Sequence, residues 1–129
     1  MALTDVPSER LLAAIQDGEE ASALELITLA SSRDVSIRES VAARPDAPIS
    51  ALILLAQDSK SKVRRVLAAN SAVARAESVQ GMLVADRDTD VGLALALNPV
   101  TSDATLRRLL DHGRKSVRNV AQERLTSAL

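Results

Sequence analysis

The chain repeats one short pattern along most of its length. The pattern reads Ile-Arg-Glu-Ser-Val-Ala-Ala-Arg-Pro at its first occurrence and Val-Arg-Arg-Val-Leu-Ala-Ala-Asn-Ser at its second. Four apolar anchors mark successive copies at separations of 26, 28 and 26 residues, namely Ile37, Val63, Val91 and Val117. This period is typical of a helical solenoid unit and is too short for an independent domain. The sequence therefore predicts an all-α chain of about four stacked two-helix repeats.

Helical spacing of apolar residues recurs throughout, and strand signals are absent. In each repeat a short helix precedes a longer one, and Pro45 and Pro99 follow the short helix at the same register, where proline ends a helix. We expect helices near 20–31, 35–43, 48–57, 62–69, 74–86, 90–97, 102–112 and 115–127, after a first helix that buries Leu11, Leu12 and Ile15. These form one domain over residues 1–129, with capping helices in 1–33, central repeats in 34–113 and a capping helix in 114–129.

The longer helices align as columns of apolar residues. One column is predicted to contain Leu26, Leu52, Val79 and Leu106, and a second, three positions on, contains Leu29, Leu55, Met82 and Leu109. A unit of this size cannot bury its apolar stripe alone, so neighbouring units must cover it. The small alanines between these columns favour close approach of the helices. We therefore expect a tight core without a ligand pocket.

Composition excludes several kinds of chemistry. The chain of 129 residues contains no cysteine, which excludes disulfides and thiolate sites, and no Phe, Tyr or Trp, which removes the usual stacking platforms for bases and flat cofactors. The single histidine, His112, precedes Gly113 at a helix end, where interaction with the helix dipole explains it better than catalysis does. The acidic run from Asp86 to Asp90 lacks the glycine spacing of a calcium loop and is expected to join two helices, with Thr89 or Asp90 as cap. We predict no catalytic residue, metal or cofactor, and no small-molecule substrate.

Charge is divided unevenly between the two halves. The net charge of the chain is −1, but residues 1–58 sum to −6 and residues 59–129 to +5. In a solenoid this asymmetry becomes an acidic end and a basic end. Because no stretch approaches the roughly 18 apolar residues needed to span a bilayer, we expect no membrane contact and a cytoplasmic location.

The repeated pattern resembles a known family. Residues 63–70 read Val-Arg-x-x-Leu-Ala-x-Asn, residues 91–99 repeat Val, Leu-Ala and Asn-Pro in register, and a Leu-x-x-Leu helix follows. This is similar to the leucine-rich repeat variant family within the HEAT and armadillo-like α-solenoids, over roughly residues 24–125. The resemblance implies a right-handed superhelix of alternating short and long helices, some of the short ones 3₁₀. The longer period here favours α-helices instead, and the ligands of the iron–sulfur cluster found in one family example are absent.

A set of basic residues raises the possibility of nucleic-acid binding. Three arginines share one repeat position, which Gly92 interrupts, and further basic residues lie in the second half of the chain. We call these residues the basic set: Arg38, Arg64, Arg65, Arg107, Arg108, Arg114, Lys115 and Arg118. Such a ridge can track phosphates, as in the HEAT-like DNA glycosylases of this fold group. The favoured alternative is that the column arginines pair with acids of the neighbouring repeat.

A second candidate surface is apolar. The position after the first leucine of the longer helix reads Ile27, Ile53, Gln80, Arg107, and the next position reads Thr28, Leu54, Gly81, Arg108. We call Ile27, Ile53 and Leu54 the apolar strip. Either the first helix of the chain covers the strip or the strip is exposed for association.

These patterns favour a non-enzymatic scaffold that presents a rigid surface to a protein partner or to a second copy of itself. The alternative is phosphate-backbone binding through the basic half of the chain. An enzymatic role ranks third, because no nucleophile, base and acid can be brought together from these residues.

Overall fold

A computed structural model describes residues 21–127, and within this range the chain is all-helical, without strands. Eight α-helices and one 3₁₀ helix follow one another. They are α1 (Ala23–Ala30), α2 (Val35–Ala42), α3 (Ile49–Ala56), α4 (Ser61–Ala68), the 3₁₀ helix (Ser71–Arg75), α5 (Glu77–Val84), α6 (Thr89–Leu97), α7 (Asp103–Leu109) and α8 (Lys115–Ser127). The expected first helix with Leu11, Leu12 and Ile15 lies outside the described residues.

The helices pack as two rows. Helices α2, α4, α6 and α8 each contact the next member of the first row, and α1, α3, α5 and α7 do the same in the second row. Side chains of both rows meet between them, where the four anchors and the leucines of the second row form one continuous core. The expected difference in length between the two helices of a repeat is wrong: α2, α4 and α6 have 8, 8 and 9 residues, and α3, α5 and α7 have 8, 8 and 7. Each pair of helices is thus covered by its neighbours, as stacking of short repeats requires.

The repeat anchors occupy the core as predicted. Val63, Val91 and Val117 are fully buried and Ile37 nearly so. The position four residues later is also fully buried in every repeat, and is occupied by Val41, Leu67, Leu95 and Ala121. This i, i+4 spacing gives each short helix one apolar face directed at the second row.

Short polar side chains set where the helices begin. Ser22 and Glu25 form a reciprocal capping box at α1, with Glu25 N–H donating to Ser22 Oγ at 3.1 Å and Ser22 N–H to Glu25 Oε1 at 3.2 Å. Asp34 caps α2 and Ser102 caps α7. The expected cap of α6 at Thr89 or Asp90 is wrong: Asp88 is the cap, and its Oδ1 accepts the Asp90 and Val91 N–H groups at 2.9 and 3.2 Å.

The single helix expected near 74–86 is also wrong. The structure has a 3₁₀ helix over Ser71–Arg75 and then a separate α5, because the backbone of Ala76 between them is not helical (φ −140°, ψ 80°). Asn70 caps the 3₁₀ helix by accepting the Ala72 N–H at 2.9 Å. This connection between α4 and α5 is longer than the one between α2 and α3, and accounts for the one separation of 28 residues.

The longer connection shifts the register of α5 by one residue. The predicted columns align Val79 with Leu52 and Met82 with Leu55, but Gln80 and Leu83 are buried at those positions. Val79 is fully buried too, at the position of Ala51, and Met82 is half-buried. Gln80 therefore occupies a leucine position in the core at 1% exposure. Its amide is satisfied, since Nε2 donates to the Val73 carbonyl at 2.8 Å and Oε1 accepts the Ser102 N–H at 3.2 Å.

Candidate functional site

Two column arginines of the basic set are engaged inside the stack. Arg38 Nε donates to Asp58 Oδ2 at 2.6 Å, and its Nη1 donates to the Ser32 carbonyl at 2.8 Å. Arg64 repeats this arrangement one unit later, with Asp86 Oδ2 at 2.6 Å and the Asp58 carbonyl at 2.6 Å. Both carboxylates are nearly buried. Each guanidinium thus links the turn before its own helix to the turn before the next short helix.

The Arg64 pair leaves an electrostatic signature. The hydrogen bonding of the Arg64 guanidinium to the Asp86 carboxylate is the largest cause that raises the pKa of Arg64 above its usual value, and the charge of Asp86 adds to it. Arg64 therefore stays charged and paired with Asp86. The two pairs favour a structural role for Arg38 and Arg64 over contact with a phosphate backbone.

The third and fourth positions of this column differ. Gly92 is buried and contributes no side chain, and Arg118 Nη1 donates to the His112 carbonyl at 2.6 Å. No acidic partner of Arg118 is found within residues 21–127. Three of the four column positions thus carry an arginine that bonds the carbonyl six residues before it.

A second series of polar side chains also connects the repeats, and it was not predicted from the sequence. We call it the asparagine ladder. Asn98 Nδ2 donates to the Ala68 and Asn70 carbonyls at 2.9 and 3.0 Å. Asn70 Nδ2 donates in the same way to the carbonyls of Ala42 and Arg44, both at 2.8 Å. The signal for this ladder was present, because Asn70 and Asn98 are 28 residues apart and end the same motif.

Arg124 occupies the next position of that ladder. Its Nη1 donates to the Ala96 and Asn98 carbonyls at 2.6 and 3.1 Å. The carbonyls at the ends of short helices α2, α4 and α6 are therefore bonded by a side chain of the following repeat. Helix ends leave such carbonyls without an intrahelical partner, so each rung satisfies groups that burial would otherwise penalise.

The remaining basic set does not form one column. Arg65 lies on the exposed side of α4 in the first row, whereas Arg107 and Arg108 lie on α7 in the second row. Arg114 and Lys115 lie at the start of α8. All five are exposed, and no ion pair of theirs occurs within the described range. Four of them lie at the C-terminal end of the stack, on α7 and around the start of α8, whereas Arg65 lies on α4, so the five do not follow one ridge.

The apolar strip is partly exposed. Ile27 and Ile53 are half-buried and pack against the core, while Leu54 is 42% exposed. With the corrected register of α5, Met82 rather than Gly81 is the equivalent of Leu54 in the next repeat, so apolar character continues one repeat further than the sequence alignment indicated. Beyond Met82 the equivalent position is Arg108. Leu97, at 61% exposure, lies on the opposite row.

A charged cleft lies between the connection that follows α5 and the connection between α7 and α8. It has a volume of about 550 Å³, and its polar lining consists of Asp86, Arg87, Arg108, Asp111, His112 and Arg114. His112 Nδ1 accepts the Arg114 N–H at 3.0 Å. The expectation of a core without a ligand pocket concerned internal cavities, and this cleft is open at the surface.

Two kinds of feature are not found among the described residues, namely metal-ligand clusters and membrane-spanning helices. Residues 21–127 contain no group of three or more His, Cys, Asp or Glu side chains placed to hold a metal ion. No helix among them is both long enough and apolar enough to cross a bilayer.

Comparison with known proteins gives no relative. No protein-family model, no curated protein and no solved structure matches this chain.

Proposed function

We propose that this protein is a non-enzymatic helical-repeat scaffold that binds a protein partner, with the apolar strip and Met82 as the contact surface. The proposed architecture is a right-handed α-solenoid of about four repeats, of the HEAT and armadillo-like type. The observation that carries the proposal is that the repeated polar side chains form hydrogen bonds between repeats. A scaffold of this kind offers a partner a preorganised surface, which reduces the ordering cost of binding.

Nucleic-acid binding is the weaker alternative. Its most regular element was the arginine column, and Arg38, Arg64 and Arg118 each bond backbone carbonyls of the stack. The five other basic residues lie on different sides of the molecule. Stacking on bases is also unsupported, because the chain has no aromatic residue.

The contact surface is defined by Leu54. This side chain is exposed on α3, whose only polar residue is Ser50, and the half-buried Ile53 and Met82 flank it. Partner contacts of this kind derive their free energy from apolar burial at the centre of the interface. A second copy of the chain is one possible partner, since a self-complementary apolar patch is the usual basis of a symmetric dimer.

The test is a pull-down with the full chain from its native cells, run in parallel with and without nuclease, followed by light scattering of the purified protein. We expect a retained protein that is lost with Leu54→Glu but kept with the matched control Leu97→Glu, which alters a more exposed leucine on the opposite row. If light scattering shows that Leu54→Glu converts an oligomer to a monomer, the partner is a second copy. Retention of nuclease-sensitive material that only an Arg107→Glu, Arg108→Glu, Arg114→Glu variant loses would contradict the proposal.

A further inference from the structure

We call the repeated Arg–Asp pairs of the arginine column the arginine ladder, and each pair a rung. At one position of this ladder both the arginine and the aspartate are replaced. The pairs Arg38–Asp58 and Arg64–Asp86 occupy equivalent positions in successive repeats. At the next equivalent positions the chain has Gly92 and His112. A Cβ atom on Gly92 would lie 3.0 Å from His112 Nε2, so the imidazole packs directly on the glycine backbone. The histidine therefore fills part of the space that a guanidinium takes up in the other rungs.

His112 retains the local role of the aspartate that it replaces. Asp58 Oδ1 accepts the Lys60 N–H at 2.9 Å, Asp86 Oδ1 accepts the Asp88 N–H at 3.0 Å, and His112 Nδ1 accepts the Arg114 N–H at 3.0 Å. Since Nδ1 is the acceptor, the hydrogen-bond network assigns the proton of the neutral ring to Nε2. Nε2 faces the Gly92 backbone, so the ring forms the part of the cleft wall that lies against α6.

Three arginines that make no ion pair in the described part of the chain line the same cleft. They are Arg87, Arg108 and Arg114. Arg108 turns back over α5, where its Nη1 lies 3.0 Å from the position a Cβ on Gly81 would occupy, so the absence of a side chain at Gly81 admits the guanidinium. Of the two acids in the lining, Asp86 is already paired with Arg64 at 2.6 Å, and Asp111 is exposed. The arginines therefore exceed the unpaired acids.

We propose that this cleft binds a phosphomonoester group. Guanidinium groups donate paired, planar N–H bonds that match phosphate oxygens, and a phosphomonoester offers three such oxygens and close to two negative charges. A phosphodiester has one charge and fewer free oxygens, and it would gain nothing from base stacking in a chain without aromatic residues. The cleft volume of about 550 Å³ accommodates the group and its attached carbon atoms.

The test is a titration of the full ¹⁵N-labelled chain with N-acetyl-phosphoserine amide, followed by amide chemical shifts. We expect saturable shifts at Gly113, Arg114 and Lys115 with a dissociation constant of about 1 mM, which is ordinary for a small isolated anion. Arg108→Gln and Arg114→Gln should each weaken binding by about tenfold, whereas Arg107→Gln should not. Arg107 is the matched control, because it is an exposed arginine on the same helix that does not line the cleft.

Two probes identify the source of the phosphate group. A short phosphoserine peptide that binds at least about tenfold more tightly than glycerol phosphate assigns the group to a phosphorylated protein chain, and equal binding assigns it to a small free phosphomonoester. Three results would overturn the proposal: shifts that do not saturate, equal binding of dimethyl phosphate, or a loss with Arg107→Gln as large as with Arg108→Gln. Circular dichroism of each variant establishes that it is folded as the parent is.

Discussion

At the scale of single residues, buried amide and guanidinium groups connect neighbouring repeats by bonding carbonyls at helix ends. A stack of short helices has many such carbonyls, and each one that is buried without a donor costs free energy. Within the described range every buried side-chain nitrogen or oxygen has a hydrogen-bond partner. The polar residues therefore fix one arrangement of the repeats, while the leucines and valines supply most of the burial.

Asn98→Ala tests this role. The variant removes the donor to the Ala68 and Asn70 carbonyls and the acceptor of the Val100 N–H. We expect the free energy of unfolding in urea to fall by about 2 to 3 kcal/mol, because buried carbonyls lose their partner. The control is Asn119→Ala, which changes an exposed asparagine on α8 and should have little effect. If Asn98→Ala and Asn119→Ala lowered the free energy of unfolding equally, the asparagine ladder would contribute no stability.

Asp46 offers a pH-dependent contact. Arg44 Nε and Nη2 each donate to the Asp46 carboxylate at 2.9 Å, and this hydrogen bonding is the main cause that lowers the pKa of Asp46. A lowered carboxyl pKa stabilises the fold at pH values above the ordinary pKa, and the contribution disappears as the pH falls through the lowered value. The effect is small because Asp46 is half exposed. Asp46→Asn should cost less than about 1 kcal/mol at neutral pH.

The same urea measurement at low pH is the control for Asp46. When the wild-type carboxyl group is protonated, the two proteins should unfold with the same free energy, because neither has a charge at this position. A difference that persists unchanged at acid pH would assign the effect of Asp46→Asn to packing rather than to the ion pair.

At the scale of helices, the order and approximate bounds of most elements followed from the sequence. Apolar spacing placed the short helices well, because each has its own i, i+4 pair of core residues. The register of α5 did not follow, since Gln80 reads as a surface residue and the 3₁₀ helix gives no apolar period. Only the packed structure shows that Gln80 bonds both Val73 and Ser102.

Pairings between elements were equally difficult to assign. The column of arginines was visible, and so was their preference for acids of the next repeat. Which acid each arginine meets depends on the rotation between repeats, which no sequence spacing specifies. The sequence does not predict the cleft at His112 for the same reason. The residues next to His112 explain it by the dipole of its own helix, and they do not show what packs against it.

Restoring the interrupted rung tests the ladder at this scale. Gly92→Arg together with His112→Asp recreates the pair seen at Arg38–Asp58 and Arg64–Asp86. Gly92→Arg alone should destabilise the fold, because its Cβ would crowd both His112 and Val117, and His112→Asp relieves the first of these contacts. We expect a favourable coupling of about 1 to 2 kcal/mol in the double-mutant cycle from urea unfolding. Additive effects of the two substitutions would contradict the equivalence of the three rungs.

At the scale of the whole molecule, the core is continuous through both rows, so the repeats should unfold together. Leu67 is fully buried in that core at the position shared with Val41 and Leu95. Leu67→Asp should unfold the domain, since an unpaired charge buried there costs more than about 4 kcal/mol. The control is Leu97→Asp, at an exposed leucine, which should melt like the parent in circular dichroism. A cooperative melt of Leu67→Asp near the parent midpoint would contradict the repeat register.

The distribution of charge also belongs to this scale. The first 58 residues sum to −6 and the rest to +5, and four exposed basic residues lie at the C-terminal end of the stack, namely Arg107, Arg108, Arg114 and Lys115. Electrostatic attraction of this kind accelerates association with an oppositely charged partner more than it adds affinity. The asymmetry fits a scaffold that orients its partner, and it is also the one whole-molecule property that a nucleic-acid binder would share.

The most direct test of the scaffold account is therefore fluorescence anisotropy with short labelled DNA and RNA at near-physiological salt. The oligonucleotides should have no terminal phosphate, so that the cleft at His112 does not contribute. We predict no salt-dependent binding by the native protein or by the Arg107→Glu, Arg108→Glu, Arg114→Glu variant, because the arginine column is engaged within the stack. Binding at about 1 μM or tighter that weakens steeply with salt and is lost in the variant would contradict the account.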